Sequence, residues 1–252
     1  MLQVGDCVVR KKYNRDILFE IYHLENGIAY LKGIEIRLIA DSYLEDLELA
    51  TFTVTNLTVD ESQLFRRDDV IKGKVLHIDG DSRYLDMCLS KYRDLAIIAY
   101  GYHLKETEMS TLIYDLLEKH QPDLLVITGH DALNNKGERD SLDSYLHTRD
   151  FIETIKIARE YQKDKDSLII FAGACQSNYE LLIASGANFA SSPNRINIHC
   201  LDPVYIISQI AQESVKNYVN LEKIIKNTSN KDRGVGGIDT KGVARKIYPL
   251  NK

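Results

Sequence analysis

The stretches LLVITGHDAL (residues 124–133) and SLIIFAGACQSN (residues 167–178) decide which fold this chain is expected to adopt. Each begins with a short apolar run and ends in turn residues, a pattern typical of a strand buried on both faces of a parallel sheet. Between them, residues 145–164 carry apolar side chains at helical spacing. A strand, a helix and a second strand form a crossover, which returns the chain beside the first strand with the same polarity.

The same alternation of strands and helices continues on both sides of this pair. The further strands are predicted in KVLHIDGD (74–81), LAIIAYGYHL (95–104), ANFASS (187–192) and INIHCL (196–201), and helices in 82–95, 111–120, 178–186, 204–214 and 221–226. Residues 72–230 are therefore predicted to form an α/β domain, with a mostly parallel six-stranded sheet and flanking helices.

The segments before and after the predicted α/β domain differ from it in composition. Residues 1–50 contain five short apolar or alternating runs, with turn signals at Asn14-Arg15-Asp16 and Asn26-Gly27, which predict a small SH3-like β-barrel. Residues 51–71 are polar and charged and are interpreted as a linker. Residues 231–252 are rich in glycine and are predicted to be a flexible tail.

Composition excludes several classes of function. The 252 residues carry a net charge of −5, which gives no electrostatic reason to expect nucleic-acid binding or attachment to an anionic membrane. No apolar run approaches the ~18 residues of a membrane helix, and the N-terminus lacks the pattern of a signal peptide, so a cytoplasmic protein is expected. The four cysteines form no CxxC pair, so neither a disulfide framework nor a metal site is predicted, and no cofactor is expected.

Two reactive side chains follow the central pair of strands. His130 comes after LLVITG and Cys175 after LIIFAGA, 45 residues later (175 − 130). Because ligands bind at the carboxyl ends of parallel strands, both side chains are expected at the same edge of the sheet. A cysteine nucleophile needs a nearby base to form the thiolate, and a helix starting near Asn178 would add its positive end. A single cysteine after a strand is usually a packing residue, and the combination with His130 is what favours catalysis.

The residues around this pair resemble known sequence blocks. ITGHDAL and FAGACQSN are similar to the histidine and cysteine blocks of the caspase-like clan, which includes caspases, gingipains, clostripain and separase. The opening GDCVVRKKYNRDILFEI, the HIDGD turn and the long block from AGACQSNYELL to HCLDP resemble the YabG family of sporulation-specific proteases. This resemblance runs from about residue 3 to residue 248 and therefore covers nearly the whole chain.

The resemblance implies a cysteine endopeptidase with a caspase-like fold. Cys175 and His130 match the catalytic positions of the family. Cleavage after arginine, including self-cleavage, is implied, as are protein substrates associated with the spore coat and cortex. The implied location is the mother-cell cytoplasm or the spore coat.

One feature departs from the clan. Caspases place glycine directly after the catalytic histidine, where its N–H donates to the oxyanion. Here Asp131 stands in that position and Gly129 precedes the histidine. The expected oxyanion donors are the backbone N–H of Cys175 and that of Asp131, and the Asp131 side chain would either orient His130 or restrict access.

A pocket for an arginine side chain needs a carboxylate at the same edge of the sheet. Asp79 and Asp81 follow the first strand of the α/β domain, and Asp202 follows INIHCL. All three are candidates for substrate binding, although aspartates at such positions more commonly form turns or cap helices.

Two other functions fit parts of the sequence. Gly173 to Ser177 lie between a strand and a helix, as in the nucleophile elbow of amidotransferase-like cysteine hydrolases, but those enzymes take their histidine from after the cysteine. A non-enzymatic spore-coat scaffold would also combine a small barrel with an α/β domain. Preferential alkylation of Cys175 would distinguish an enzyme from such a scaffold.

Overall fold

A computed structural model describes residues 2–50, 67–134 and 137–248. The chain divides into two compact units, Met1–Thr58 and Val59–Lys252. Over the described ranges, no helix is both long enough and apolar enough to cross a membrane.

The N-terminal unit contains a five-stranded antiparallel sheet. Its strands are β1 (Cys7–Arg10), β2 (Leu18–Glu25), β3 (Ile28–Gly33), β4 (Ile39–Tyr43) and β5 (Leu47–Leu49), in the spatial order β4-β3-β2-β1-β5. The β2–β3 hairpin turns at Asn26 and Gly27, which both have positive φ (49° and 80°), as a two-residue hairpin loop requires. The five predicted strands are confirmed, whereas closure of the sheet into a barrel stays a prediction.

The C-terminal unit is an α/β structure. Its strands are β6 (Val70–Ile71), β7 (Val75–Asp79), β8 (Ala99–His103), β9 (Leu124–Thr128), β10 (Ile169–Ala172), β11 (Phe189–Ser191), β12 (Val235–Gly237) and β13 (Arg245–Lys246). Its helices are α1 (Ser82–Asp94), α2 (Glu106–His120), α3 (Thr148–Tyr161), α4 (Tyr179–Ala184), α5 (Asp202–Gln212) and α6 (Leu221–Lys226). Six strands form one sheet in the order β12-β11-β10-β9-β7-β8, parallel except for β12. The predicted mostly parallel six-stranded sheet is confirmed.

The sheet is covered by helices on both faces. Val126 and Phe171 pack in a buried cluster with residues of α1, α5 and α6, whereas Ile127 and Ala172 pack in a second cluster with residues of α2, α3 and α4. Successive strand residues point to opposite faces, so a strand between two helical layers must be apolar throughout. Burying each large apolar side chain contributes about 1.5–3 kcal/mol. These two clusters hold the carboxyl ends of the strands in place.

Helix ends are fixed by local chemistry. Asp81 caps α1, because its Oδ1 accepts the backbone N–H of Arg83 at 2.9 Å and that of Tyr84 at 3.4 Å. α2 ends at Gln121, which adopts the left-handed conformation (φ 43°) directly before Pro122.

The sixth strand is not the predicted one. INIHCL (196–201) is an irregular segment that leads into α5, and the sixth strand is β12, which lies in the predicted glycine-rich tail. Residues 235–237 thus form a strand within the range 231–252, whose flexibility as a tail stays a prediction. The glycines there provide space for close packing, because a Cβ on Gly236 would lie 2.7 Å from the Tyr179 hydroxyl and one on Gly237 would lie 2.3 Å from the Phe189 ring.

The end of the predicted linker also has regular structure. Val70–Ile71 pairs with Arg245–Lys246 as the antiparallel strands β6 and β13. The interpretation of residues 51–71 as a linker stays a prediction. Most of the predicted linker, residues 51–66, lies outside the described residues.

Candidate active site

The carboxyl ends of β9 and β10 lie side by side. Ile127 pairs with Ala172 in parallel register, and the N–H of Gly173 donates to the carbonyl of Ile127 at 3.0 Å. His130 follows Ile127 by three residues, and Cys175 follows Ala172 by three residues (130 − 127 = 3 and 175 − 172 = 3). The histidine and the cysteine therefore occupy equivalent positions, three residues beyond paired residues of neighbouring strands. Both lie at the carboxyl-end edge of the sheet, which is the edge expected from the sequence.

The turn that carries Cys175 is shaped by backbone geometry. Gly173 has φ +103°, a conformation that other residues rarely adopt, and a Cβ there would lie 2.7 Å from Leu182 Cδ1. Gln176 also has positive φ (60°), and its N–H is held by Ser192 Oγ at 3.1 Å. Ser177 Oγ closes the turn by accepting the N–H of Ala174 at 2.9 Å. The cysteine thus stands in a sharp turn between β10 and α4.

The sulfur of Cys175 is fully enclosed by protein. The backbone N–H of Ile198 donates to Sγ at 3.2 Å, and the thiol donates to the carbonyl of Ile198 at 3.8 Å. A backbone N–H directed at sulfur is suited to an anionic thiolate, which accepts hydrogen bonds strongly.

His130 lies between two carboxylates. Its Nε2 is 3.5 Å from Asp81 Oδ2, and its Nδ1 is 3.7 Å from Glu106 Oε1. The ring also lies beside Tyr84, with the ring centroids 6.0 Å apart. The side chain is 17% exposed, and Nε2 has no hydrogen-bond partner among the residues that the structure describes.

Glu106 is a site residue that the sequence analysis missed. It is the first residue of α2, and its Oε1 accepts the backbone N–H of His130 at 2.7 Å. Burial raises the pKa of Glu106, but hydrogen bonds from the side chain and backbone of His130 outweigh it and leave the pKa below its ordinary value. Glutamate in the first turn of a helix is too common to mark a site, because it also interacts favourably with the helix dipole.

Asp131 connects the two turns of the site. Its Oδ1 accepts the backbone N–H groups of Ala132 (2.9 Å) and His147 (2.8 Å), and its Oδ2 accepts the hydroxyls of Ser177 (2.8 Å) and Thr148. Burial raises the pKa of this carboxyl group despite these hydrogen bonds. Over the described residues, no hydrogen bond joins its carboxylate to His130. The Asp131 side chain therefore links the two turns by hydrogen bonds. Gly129, which precedes His130, lies against Glu106: a Cβ on Gly129 would be 2.4 Å from Glu106 Oε1.

Two of the three candidate substrate-binding aspartates have their carboxylates engaged inside the fold. Asp79 is fully buried and accepts the hydroxyl of Thr128 at 2.8 Å, and Asp202 is fully buried and accepts the hydroxyl of Ser229 at 2.6 Å. Asp81 differs, because its Oδ1 caps α1 while its Oδ2 faces His130. A role for any of the three in substrate binding stays a prediction. Within the described ranges, no group of three or more His, Cys, Asp and Glu side chains could hold a metal ion.

Comparison with known proteins shows which class of protein this chain belongs to. A family model described as YabG peptidase U57 matches residues 3–64 and 58–249, so this chain is a peptidase. A curated relative, the sporulation-specific protease YabG of Bacillus subtilis (strain 168), is 42% identical over 279 aligned residues, covering 96% of each chain. The chain belongs to the YabG family of sporulation-specific proteases, and the family resemblance predicted from the sequence is confirmed.

Proposed function

We propose that this protein is a cysteine endopeptidase in which Cys175 is the nucleophile and His130 the general base. The observation that supports this proposal is the register of β9 and β10, which brings the two residues to equivalent positions beyond neighbouring strands. Membership in a peptidase family supplies the reaction class, and a cysteine and a histidine beyond neighbouring strands at the ligand-binding edge offer a nucleophile and a base.

The reaction would proceed through an acyl-enzyme. His130 takes the proton of the Cys175 thiol, and the thiolate attacks the carbonyl carbon of the scissile peptide bond. The tetrahedral intermediate collapses when the C–N bond breaks, and the imidazolium gives its proton to the leaving amine. Water, deprotonated by His130, then attacks the thioester, and the released sulfur recovers the proton. Backbone N–H groups of Cys175 and Asp131 are the proposed donors to the oxyanion.

Substrate access requires a local movement in this scheme. Cys175 is fully buried, and Ile198 bonds to the sulfur through both its N–H and its carbonyl. A peptide carbonyl can reach Sγ only after the segment at residues 196–198 moves aside. The segment has no regular structure, but its carbonyls also accept the N–H of Gln176 (3.2 Å, at Ile196) and the side-chain amide of Asn230 (2.8 Å, at Asn197), so these bonds must break when it moves.

The substrates would be proteins of the forming spore. The similar protein of Bacillus subtilis is described as sporulation-specific, which supports a role for this chain in processing proteins of the spore coat or cortex, in the mother cell or at the spore surface. Cleavage after arginine, self-cleavage included, rests on the resemblance to the family and clan. Asp81 is the favoured carboxylate for arginine recognition, because one of its oxygens is directed toward His130.

The deciding experiment is cleavage of an unbiased peptide library by the wild-type protein and by Cys175→Ala. We expect cleavage after arginine that falls by at least about a thousandfold in the variant, because removing a catalytic nucleophile leaves only the contribution of substrate binding and oxyanion stabilisation. Cys200→Ala is the matched control, since Cys200 is also buried and precedes α5. Equal activity of wild type and Cys175→Ala would contradict the proposal.

A further inference from the structure

A buried acid beside the proposed base has no role in the mechanism above. Glu106 is 24 residues away from His130 in sequence, yet its Oε1 accepts the backbone N–H of His130 at 2.7 Å and lies 3.7 Å from the ring Nδ1. Only 10% of its side chain is exposed. A carboxylate is costly to bury, so its position against one histidine needs an explanation.

The neighbouring backbone leaves space for this carboxylate. A Cβ on Gly80 would lie 2.0 Å from Glu106 Oε1, and a Cβ on Gly129 would lie 2.4 Å from the same atom. Gly80 follows β7 and Gly129 follows β9, so two neighbouring strand ends lack side chains where the glutamate enters. Any other residue at either position would displace the carboxylate from His130.

We propose that Glu106 is a positioning residue: its carboxylate holds the Nδ1 side of His130 and stabilises the imidazolium, which leaves Nε2 to take the proton of Cys175. This inference rests on the proposed cysteine-peptidase function. Nε2 is buried and has no hydrogen-bond partner among the described residues, as expected of an atom kept for proton transfer. Hydrogen bonds from His130 hold the pKa of Glu106 below its ordinary value, so the acid is ionised when the imidazolium forms.

Other ionisable groups also lie near the His130 ring and near Glu106. Asp81 approaches Nε2 from the start of α1, with its Oδ2 at 3.5 Å, and Tyr84 of α1 lies beside the ring. His147, before α3, interacts electrostatically with Glu106. Asp81 has a second function as the cap of α1, which Asn can also perform. Asp81→Asn therefore removes the other anion near the ring without removing the helix cap.

The test compares Glu106→Gln with Glu108→Gln. Glutamine can still accept the N–H of His130 but carries no charge, and Glu108 is an exposed residue in the same first turn of α2, so its variant controls for the lost helix-dipole interaction. We expect kcat/KM of Glu106→Gln to fall about 10- to 100-fold, with the acid limb of its pH profile moved about one unit to lower pH, because the general base must be neutral to act and the imidazolium has lost its anionic neighbour. Glu108→Gln should match the wild type.

Several outcomes would overturn the proposal. A loss of activity in Glu106→Gln with an unshifted pH profile would indicate a structural role alone, and activity equal to that of Glu108→Gln would indicate no role. If Glu106→Gln does not fold, Glu106→Asp retains the charge on a shorter side chain and should give a smaller loss with no shift of the acid limb beyond half a unit. A larger shift would contradict the assignment.

The same experiment separates this inference from the proposed function. If Cys175→Ala retains full activity, the cysteine-peptidase proposal fails, and Glu106 has no reaction to support. If Cys175→Ala is inactive while Glu106→Gln behaves like Glu108→Gln, the peptidase mechanism stands and only the role of Glu106 is wrong.

Discussion

The turn after β9 and the turn after β10 hold their reactive side chains by different means. His130 is surrounded by ionisable groups, since Asp81 and Glu106 face its two ring nitrogens. Cys175 is held by neutral groups instead: Gly173 with positive φ, the Ser177 hydroxyl and the backbone of Ile198. Changes around His130 should therefore depend on pH, whereas changes around Cys175 should act through geometry at every pH.

The largest effect on stability is expected at Asp131, because it joins the two turns. Asp131→Ala would leave the N–H of His147 and the hydroxyls of Thr148 and Ser177 without their acceptor in a buried site. We expect the free energy of unfolding to fall by about 3 kcal/mol, measured by urea denaturation. Asp131→Asn, which keeps one acceptor oxygen, should lose less. A loss below about 1 kcal/mol in Asp131→Ala would show that the two turns are held independently.

A smaller effect on stability, which is lost at acid pH, is expected at Glu106. Its folded-state pKa lies below the ordinary value of 4.5, so its contribution to stability is present above that value and is lost as the pH falls through the folded-state pKa. The difference in unfolding free energy between wild type and Glu106→Gln should therefore be largest near neutral pH and should disappear in acid. Urea denaturation across this pH range measures it. A difference in unfolding free energy that does not change with pH would show that Glu106 acts through geometry, like the neutral contacts around Cys175, and not through its charge.

The smallest effect is expected at two helix caps that form a matched pair. Asn178 caps α4 and Asn220 caps α6, both helices have six residues, and each Asn side chain accepts a backbone N–H three residues later. Each alanine variant should lose about 1 kcal/mol of stability through its cap, and Asn178→Ala should lose more, because the buried Asn178 amide also donates to the Arg139 carbonyl at 3.1 Å. Only Asn178→Ala should also lower activity, at all pH values, because this cap lies three residues after Cys175 (178 − 175 = 3). Equal activity of the two variants would show that the turn after β10 does not depend on its helix.

Much of this architecture could be predicted from the sequence, because it depends on local patterns. The apolar runs at β7, β9 and β10 and the register that places His130 and Cys175 follow from periodicity and crossover rules. Glu106 could not be found in this way, since its contact with His130 depends on two strand ends that are brought together only by the sheet.

β12 was missed for a related reason. Its Val-Gly-Gly sequence has the composition of a loop, and glycine is required there by the rings of Tyr179 and Phe189. Those rings lie more than forty residues earlier in the chain (236 − 179 = 57 and 237 − 189 = 48). Local propensity contains no information about such partners.

The position of β12 also affects when the C-terminal unit can finish folding during synthesis. The strand pairs with β11, and β13 near the end of the chain pairs with β6 near the start of the same unit. A ribosome makes about 5–20 residues each second, and domains generally fold as units once their parts are available. Both pairings must wait until residues 235–246 have left the ribosome. Cys175 would thus be exposed to the cell for several seconds before its surrounding sheet is complete, and chains cut short before β12 should fail to form a stable C-terminal unit.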